Sequence, residues 1–171
     1  QLIVEDRAEP LSFSQDIRVA GQLIVDNSDV AFAAISPGPQ GQLVVRNGAQ
    51  ASTEESRLAL YGGETRIEGV NARLNGIGRT SSSTISSVLI PPEAEVLIYS
   101  ELSTNARGEA TILPAELVVD LPSESSDLVV QGTVTLRGEA SRIRSSNPAV
   151  ESYDVLIDGG TLVVETGAIL S

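Results

Sequence analysis

Few side chains in this sequence are equipped for chemistry, and the best grouped are Asp26, Asn27 and Asp29, in the stretch VDNSDVAF. Three side-chain oxygen donors on one turn suit a hard cation such as calcium. The spacing is not that of an EF-hand loop, because the alternating acidic positions, the central glycine and the distant glutamate are missing. An Asx turn between two strands uses the same residues without an ion, since Asp and Asn side chains bond their own backbone. The turn is the expectation. Asp26, Asn27 and Asp29 stay as weak metal candidates, and no cofactor is expected.

Catalysis is narrowed by what is missing. The chain has no His and no Cys, and all eleven basic residues are Arg, so it has no Lys either. Serine is abundant, but no imidazole or amine can serve as its general base. Zinc loses both of its usual ligand types. Paired carboxylates can cleave glycosides, yet such sites need a cleft and aromatic platforms, and here there are two Phe, three Tyr and no Trp. The glycines of GGETRIEG and NGIGRT lack the phosphate-loop pattern and read as turns. The expectation is a protein that is not an enzyme. Without lysine, isopeptide cross-links are excluded too, so any polymer is non-covalent.

A net charge of −12 repels phosphate backbones and anionic membrane surfaces, which excludes nucleic acid as a partner. No apolar run approaches the roughly 20 residues needed to cross a bilayer, so no membrane span is expected. The sequence contains no Met and is read from Gln1; the expectation drawn from this is an extracellular protein exported through a cleaved signal peptide.

The elements that must position these residues are strands. Aliphatic runs such as QLIV, IRVAGQLIV, VAFAAI, QLVVR, EVLIY, ELVVDL, LVVQGTVTL and TLVVE are bounded by Gly, Pro, Asn, Asp or Ser, as strand ends are. In STEESRLALYG, Ser52 stands three residues before Glu55 in a capping-box pattern, but a strand over 57–61 is preferred. The segments GQLIVDN, GQLVVRNGA, GTVTLRGEA and GGTLVVETGA share a G-x-L-x-V-x-x-G-A grammar, of the kind a parallel β-helix repeats once per turn. A solenoid is expected to keep a steady period. The copies are irregularly spaced, so the expected fold class is an all-β, immunoglobulin-like antiparallel sandwich, with a parallel β-helix as the alternative.

Three stretches in order carry a resemblance: VAFAAISPGPQGQLVVRNGA, LVVDLPSES and IDGGTLVVE. They resemble a family of secreted bacterial domains of uncharacterised function that is similar to chaperone–usher-type pilins. The resemblance implies a surface-displayed sandwich, with a periplasmic chaperone and an outer-membrane usher as partners. Members of that family continue past G-G-T-L-x-V into one more strand, which this sequence does not show. The expectation that follows is an incomplete sandwich completed by a strand donated from another copy, giving an extracellular filament, a pilus or fimbria, that grows head to tail. A self-contained cell-surface adhesin or binding module is the alternative. Residues 1–28 would be the donor extension, with Ile17, Val19, Gly21, Leu23 and Val25 pointing one way. Residues 29–171 would form the sandwich, with an insertion at about 79–115. Val155, Ile157, Leu162 and Val164 would rim the acceptor groove.

Overall fold

Short aliphatic runs closed by turn residues do become strands: nineteen form, and no helix, among the described residues. The structure describes residues 1–53, 63–69, 71–75, 88–92, 94–100, 102–104, 106–112, 114–119, 127–139, 141–145 and 154–170. The strand expected over 57–61, and the part of the expected insertion between 79 and 87, lie outside them.

In this computed structural model the chain winds through seven successive layers. The first is β1 (Leu2–Glu5) and β2 (Leu11–Val19), the second β3 (Gln22–Asp26) and β4 (Asp29–Pro37), the third β5 (Gln42–Arg46) and β6 (Gln50–Thr53). The fourth holds β7 (Gly63–Glu68), β8 (Arg73–Asn75) and β9 (Val88–Ile90). The fifth contains β10 (Ala94–Tyr99), the hairpin β11 (Leu102–Thr104) and β12 (Ala110–Ile112), then β13 (Glu116–Val119) and β14 (Asp127–Val130). The sixth is β15 (Thr133–Arg137), β16 (Arg142–Ser145) and β17 (Asp154–Ile157), and the seventh β18 (Thr161–Val164) and β19 (Ile169–Leu170).

Equivalent strands stack into three sheets. Sheet A runs β1-β3-β5-β7-β10-β15-β18, sheet B β19-β16-β13-β8-β6-β4-β2, and sheet C β17-β14-β9. Every pairing in these three sheets is parallel; the β11–β12 hairpin is antiparallel. The expected antiparallel sandwich is therefore corrected to its alternative, the architecture of a parallel β-helix. Alternation along one strand is the same in both folds, because it reports a two-residue side-chain period and not the direction of the neighbour. Parallel neighbours need long crossovers, and here the walls of the solenoid are the crossovers.

Register explains the irregular spacing. In sheet A, Leu23 pairs with Leu43, Leu43 with Thr65, Thr65 with Val96, Val96 with Val134, and Val134 with Leu162. The circuits between these partners are unequal: the shortest runs from Leu23 to Leu43, and the longest, nearly twice as long, from Val96 to Val134. Residues 1–28, expected to be an extension, supply the whole first layer and β3 of the second. Among the described residues of the expected insertion, β9 and β10 are wall strands, and the β11–β12 hairpin stands apart from the three sheets.

The core is the stack of inward residues. Val25, Val45, Ile67, Ile98 and Leu136 form one continuous ladder and each is fully buried. Burying each such side chain is worth about 1.5–3 kcal/mol. Phe13 stacks on its register partner Phe32, ring centroids 5.2 Å apart. At two copies of the repeated grammar the opening glycine has a steric reason. A Cβ at Gly41 would lie 1.9 Å from the carbonyl oxygen of Val19, and one at Gly132 would lie 2.3 Å from that of Ala94. Only a residue without a side chain lets the corner approach the layer before it so closely.

Candidate functional site

The corner after β3 resolves the proposed metal turn. Asn27 has φ 44°, and its equivalents Asp6 and Asn47 have φ 48° and 54°, left-handed values that Asn and Asp tolerate. Both Asp26 oxygens are already used by the next layer. Oδ2 accepts from Arg46 Nε at 2.7 Å and Oδ1 from Asn47 Nδ2 at 2.8 Å. Asn27 Nδ2 donates to Asp6 Oδ1 at 2.9 Å in the layer before. Ser28 Oγ closes the turn on the Asp26 carbonyl at 2.9 Å, while Asp29 opens β4 with an exposed side chain. The three residues are brought together as links between stacked corners. No group of three His, Cys, Asp or Glu among the described residues is arranged to hold a metal.

Of the donor-strand residues, Ile17 and Val19 end β2 in sheet B, Gly21 sits in the corner, and Leu23 and Val25 belong to β3 in sheet A. The five do not share one strand. Their backbones pair with the chain's own neighbours, Ile17 beside Ile35 and Leu23 between Leu2 and Leu43. The acceptor residues divide in the same way: Val155 and Ile157 lie in β17 of sheet C, Leu162 and Val164 in β18 of sheet A. A corner at Asp158–Gly160 separates them.

The outer face of sheet A is organised by ladders of polar side chains. Gln1 Nε2 donates to Gln22 Oε1 at 2.6 Å, Gln22 donates to Gln42, and Gln42 Nε2 donates to Glu64 Oε2 at 2.5 Å. Near the last layer, Arg137 grips both oxygens of Glu165 at 2.9–3.0 Å. That hydrogen bond, more than the charge attraction, holds the exposed Glu165 carboxyl below its ordinary range and pushes Arg137 up, against a smaller opposing effect of desolvation.

The group with most chemical potential lies on sheet B. Glu116 is fully buried, yet its register partners are Arg73 on one side and Arg142 on the other. Arg142 Nε donates to Glu116 Oε1 at 2.5 Å, and Arg142 Nη2 reaches the same oxygen. Arg73 Nε and Arg144 Nε stand 2.9 and 3.3 Å from Oε2; both contacts are ion pairs without hydrogen-bond alignment. Three guanidiniums, each 34–35% exposed, thus surround one carboxylate. In RIRS, the alternation of Arg142 and Arg144 around buried Ile143 puts both on one face, which the sequence alone shows. Their meeting with Glu116 and Arg73 depends on register across three layers, and sequence reasoning missed it.

A further concavity of about 760 Å³ lies at the corners after β2 and β4, lined by Arg18, Val19, Ser36, Pro37, Pro39 and Gln40, among others. Among the described residues, no helix is long and apolar enough to cross a membrane. No family model matches the chain, and no curated protein or solved structure is detectably similar to it.

Proposed function

We propose that this chain is a non-catalytic structural rod of the cell exterior, a section of a filament that lengthens by stacking layer upon layer of β-helix. The observation that supports this is the apolar face that the last two layers present. Along the inward ladder of sheet A, Leu136 is fully buried and its partner Val164 is 45% exposed. Sheet C repeats the contrast, with Val130 fully buried and its partner Ile157 43% exposed. These positions face the interior, so their exposure uncovers core rather than surface. Edge strands with unpaired backbone groups and bare aliphatic side chains are templates for another strand.

A parallel layer in register fits this face, and in the proposed filament the first layer of a second copy supplies it. There Leu2 and Ile3 are 46% and 44% exposed. Such a contact joins unlike faces and does not close, so it propagates. Strand donation into a sandwich groove has no place in this mechanism. Stacking β1 beneath β18 brings Glu5 beside Glu165, following the ladder in which Glu5 pairs with Asp26, so added salt is expected to strengthen association by screening like charges.

Electron microscopy and sedimentation at low and high salt test the reading. Filaments that lengthen with salt, and that Val164→Arg abolishes while the folded layers persist, support it. A monomer at every concentration and salt level sinks it. Release of the protein from intact cells by an external protease tests the location separately. A second reading, a surface binding module, is favoured by the arginines around Glu116.

A further inference from the structure

We infer that the outer face of sheet B formed by Arg73, Arg142 and Arg144 binds the carboxylate or sulfate groups of an acidic glycan. This stands independently of the stacking proposed above, because the face lies on the side of the rod and not at its ends.

Charge carries the first step. Three guanidiniums share a single carboxylate, Glu116, which leaves two positive charges in excess within the cluster. One arginine with good geometry is enough to pair a buried carboxylate; additional ones add mutual repulsion. The described neighbours do not supply the missing charge. On the same outward rows, Gln50 pairs with Arg73, Ser52 with Asn75, and Asn75 with Val118, which pairs in turn with Arg144. Asp29, the partner of Gln50, is two strand spacings from Arg73, roughly 10 Å, where salt screens much of its attraction. In a chain of net charge −12, a concentrated positive patch is the part of the surface that attracts anions.

Donor chemistry carries the second. A guanidinium presents five N–H donors in a planar fork that matches carboxylate and sulfate oxygens. Glu116 engages one edge of each arginine, and about a third of each side chain is open to solvent. The amides of Gln50 and Asn75 and the hydroxyl of Ser52 stand beside them and suit the hydroxyls of a sugar. Fold geometry carries the third step. Strands β8, β13 and β16 are interior strands of sheet B, so no strand edge is offered here to a peptide, whose usual mode is to add to an edge. Recognition is through side chains alone.

Isothermal titration of the full chain at fixed ionic strength tests this, with oligogalacturonate as the carboxylated probe and a sulfated oligosaccharide as the second. A neutral glucan and polyglutamate are the controls. Saturable binding of at least one acidic glycan, and none of the neutral one, is expected. Arg144→Gln and Gln50→Glu, both of which leave the buried side chains intact, are expected to weaken it about tenfold, the worth of one charge-assisted hydrogen bond. Glu116→Gln removes the internal counter-charge and is expected to tighten binding where the variant folds. Absence of saturable binding to both acidic glycans, or binding unchanged in Arg144→Gln, overturns the inference. Polyglutamate binding as tightly as the glycans overturns it in favour of an acidic peptide.

Discussion

From Leu23 in β3 to its partner Leu43 in β5 the chain makes a short circuit, whereas from Val96 in β10 to Val134 in β15 the circuit is nearly twice as long. The first two layers close with one wall, β2 and β4, opposite sheet A. In β2 and β4, nine residues each, a register shift between Phe13 and Asp16 bends a single strand around that wall. The fourth, fifth and sixth layers divide the same path into two strands, in sheets B and C, and the longest adds the β11–β12 hairpin. Yet the inward ladder of sheet A passes through both regions and is buried from Val25 to Leu136. The constant of the fold is therefore the register of sheet A and its two corners, while the return path absorbs changes in length at low entropic cost.

The largest expected effects test whether the two regions are packed equally. Leu43→Ala in a short layer and Ile98→Ala in a long one each remove a fully buried side chain and are expected to cost about 2–5 kcal/mol in denaturant unfolding. A loss below about 1 kcal/mol for Ile98→Ala alone would mean that the long layers are loosely built and that the comparison fails.

Glycine corners sharpen it next. Gly41→Ala drives a methyl group against the Val19 carbonyl and is expected to cost about 1–3 kcal/mol, while at Gly21 nothing lies within 4 Å of the added carbon. Gly21→Ala is expected to stay within about 0.5 kcal/mol of the parent. Equal effects at both corners, read by thermal melting, would show that close approach is not what selects glycine. Smaller again is Gln42→Ala, which breaks the side-chain bonds to Gln22 and Glu64. About 1 kcal/mol is expected, concentrated in faster amide exchange of β3, β5 and β7; uniform acceleration across all layers would deny the ladder a local role.

The same contrast explains what was legible in sequence. The all-strand character was, and so were most strand positions, because Leu23–Val25 and Leu43–Val45 are aliphatic runs between turn residues. Those runs also carry a signal of strand direction. Strands buried on both faces, as Leu23–Val25 and Leu43–Val45 are, read as continuous apolar stretches, and that pattern favours parallel sheets over the half-exposed strands of a sandwich. The repeated grammar was visible as well, but the long circuits from Thr65 to Val96 and from Val96 to Val134 hid its period. The sheet A strands that bound the first of them, GETRIE and AEVLIY, lack the Leu-x-Val core of the motif. Pro91 and Pro92, inside the segment expected as an insertion, lie in the corner between β9 and β10. The arginine site was illegible for a different reason. Arg73, Glu116 and Arg142 lie far apart along the chain, in three different layers, and only register sets them side by side.

The smallest effect belongs to the seventh layer, where the rod is least covered. Glu165 joins it to the sixth through Arg137, and its backbone N–H donates to the Leu136 carbonyl at 2.9 Å. The Arg137 hydrogen bond lowers the folded Glu165 carboxyl below its unfolded value. The link therefore contributes at pH above the unfolded value and is lost as pH falls through the lowered one. Arg137 is shifted upward and stays charged throughout. Because both side chains are exposed, salt screens the attraction and the effect on global stability is slight. It is expected instead as a local gain in exchange at the Glu165 amide on acidification, relative to the Asn47 amide, whose bond to the Glu68 carbonyl closes the equivalent corner. In Glu165→Gln the same amide should exchange faster at neutral pH and lose its acid dependence. An acid response that persists in that variant would place the weak point of the end layer elsewhere, in the uncovered Ile157 and Val164, and would make apolar exposure rather than charge the property that distinguishes the end of the rod from its middle.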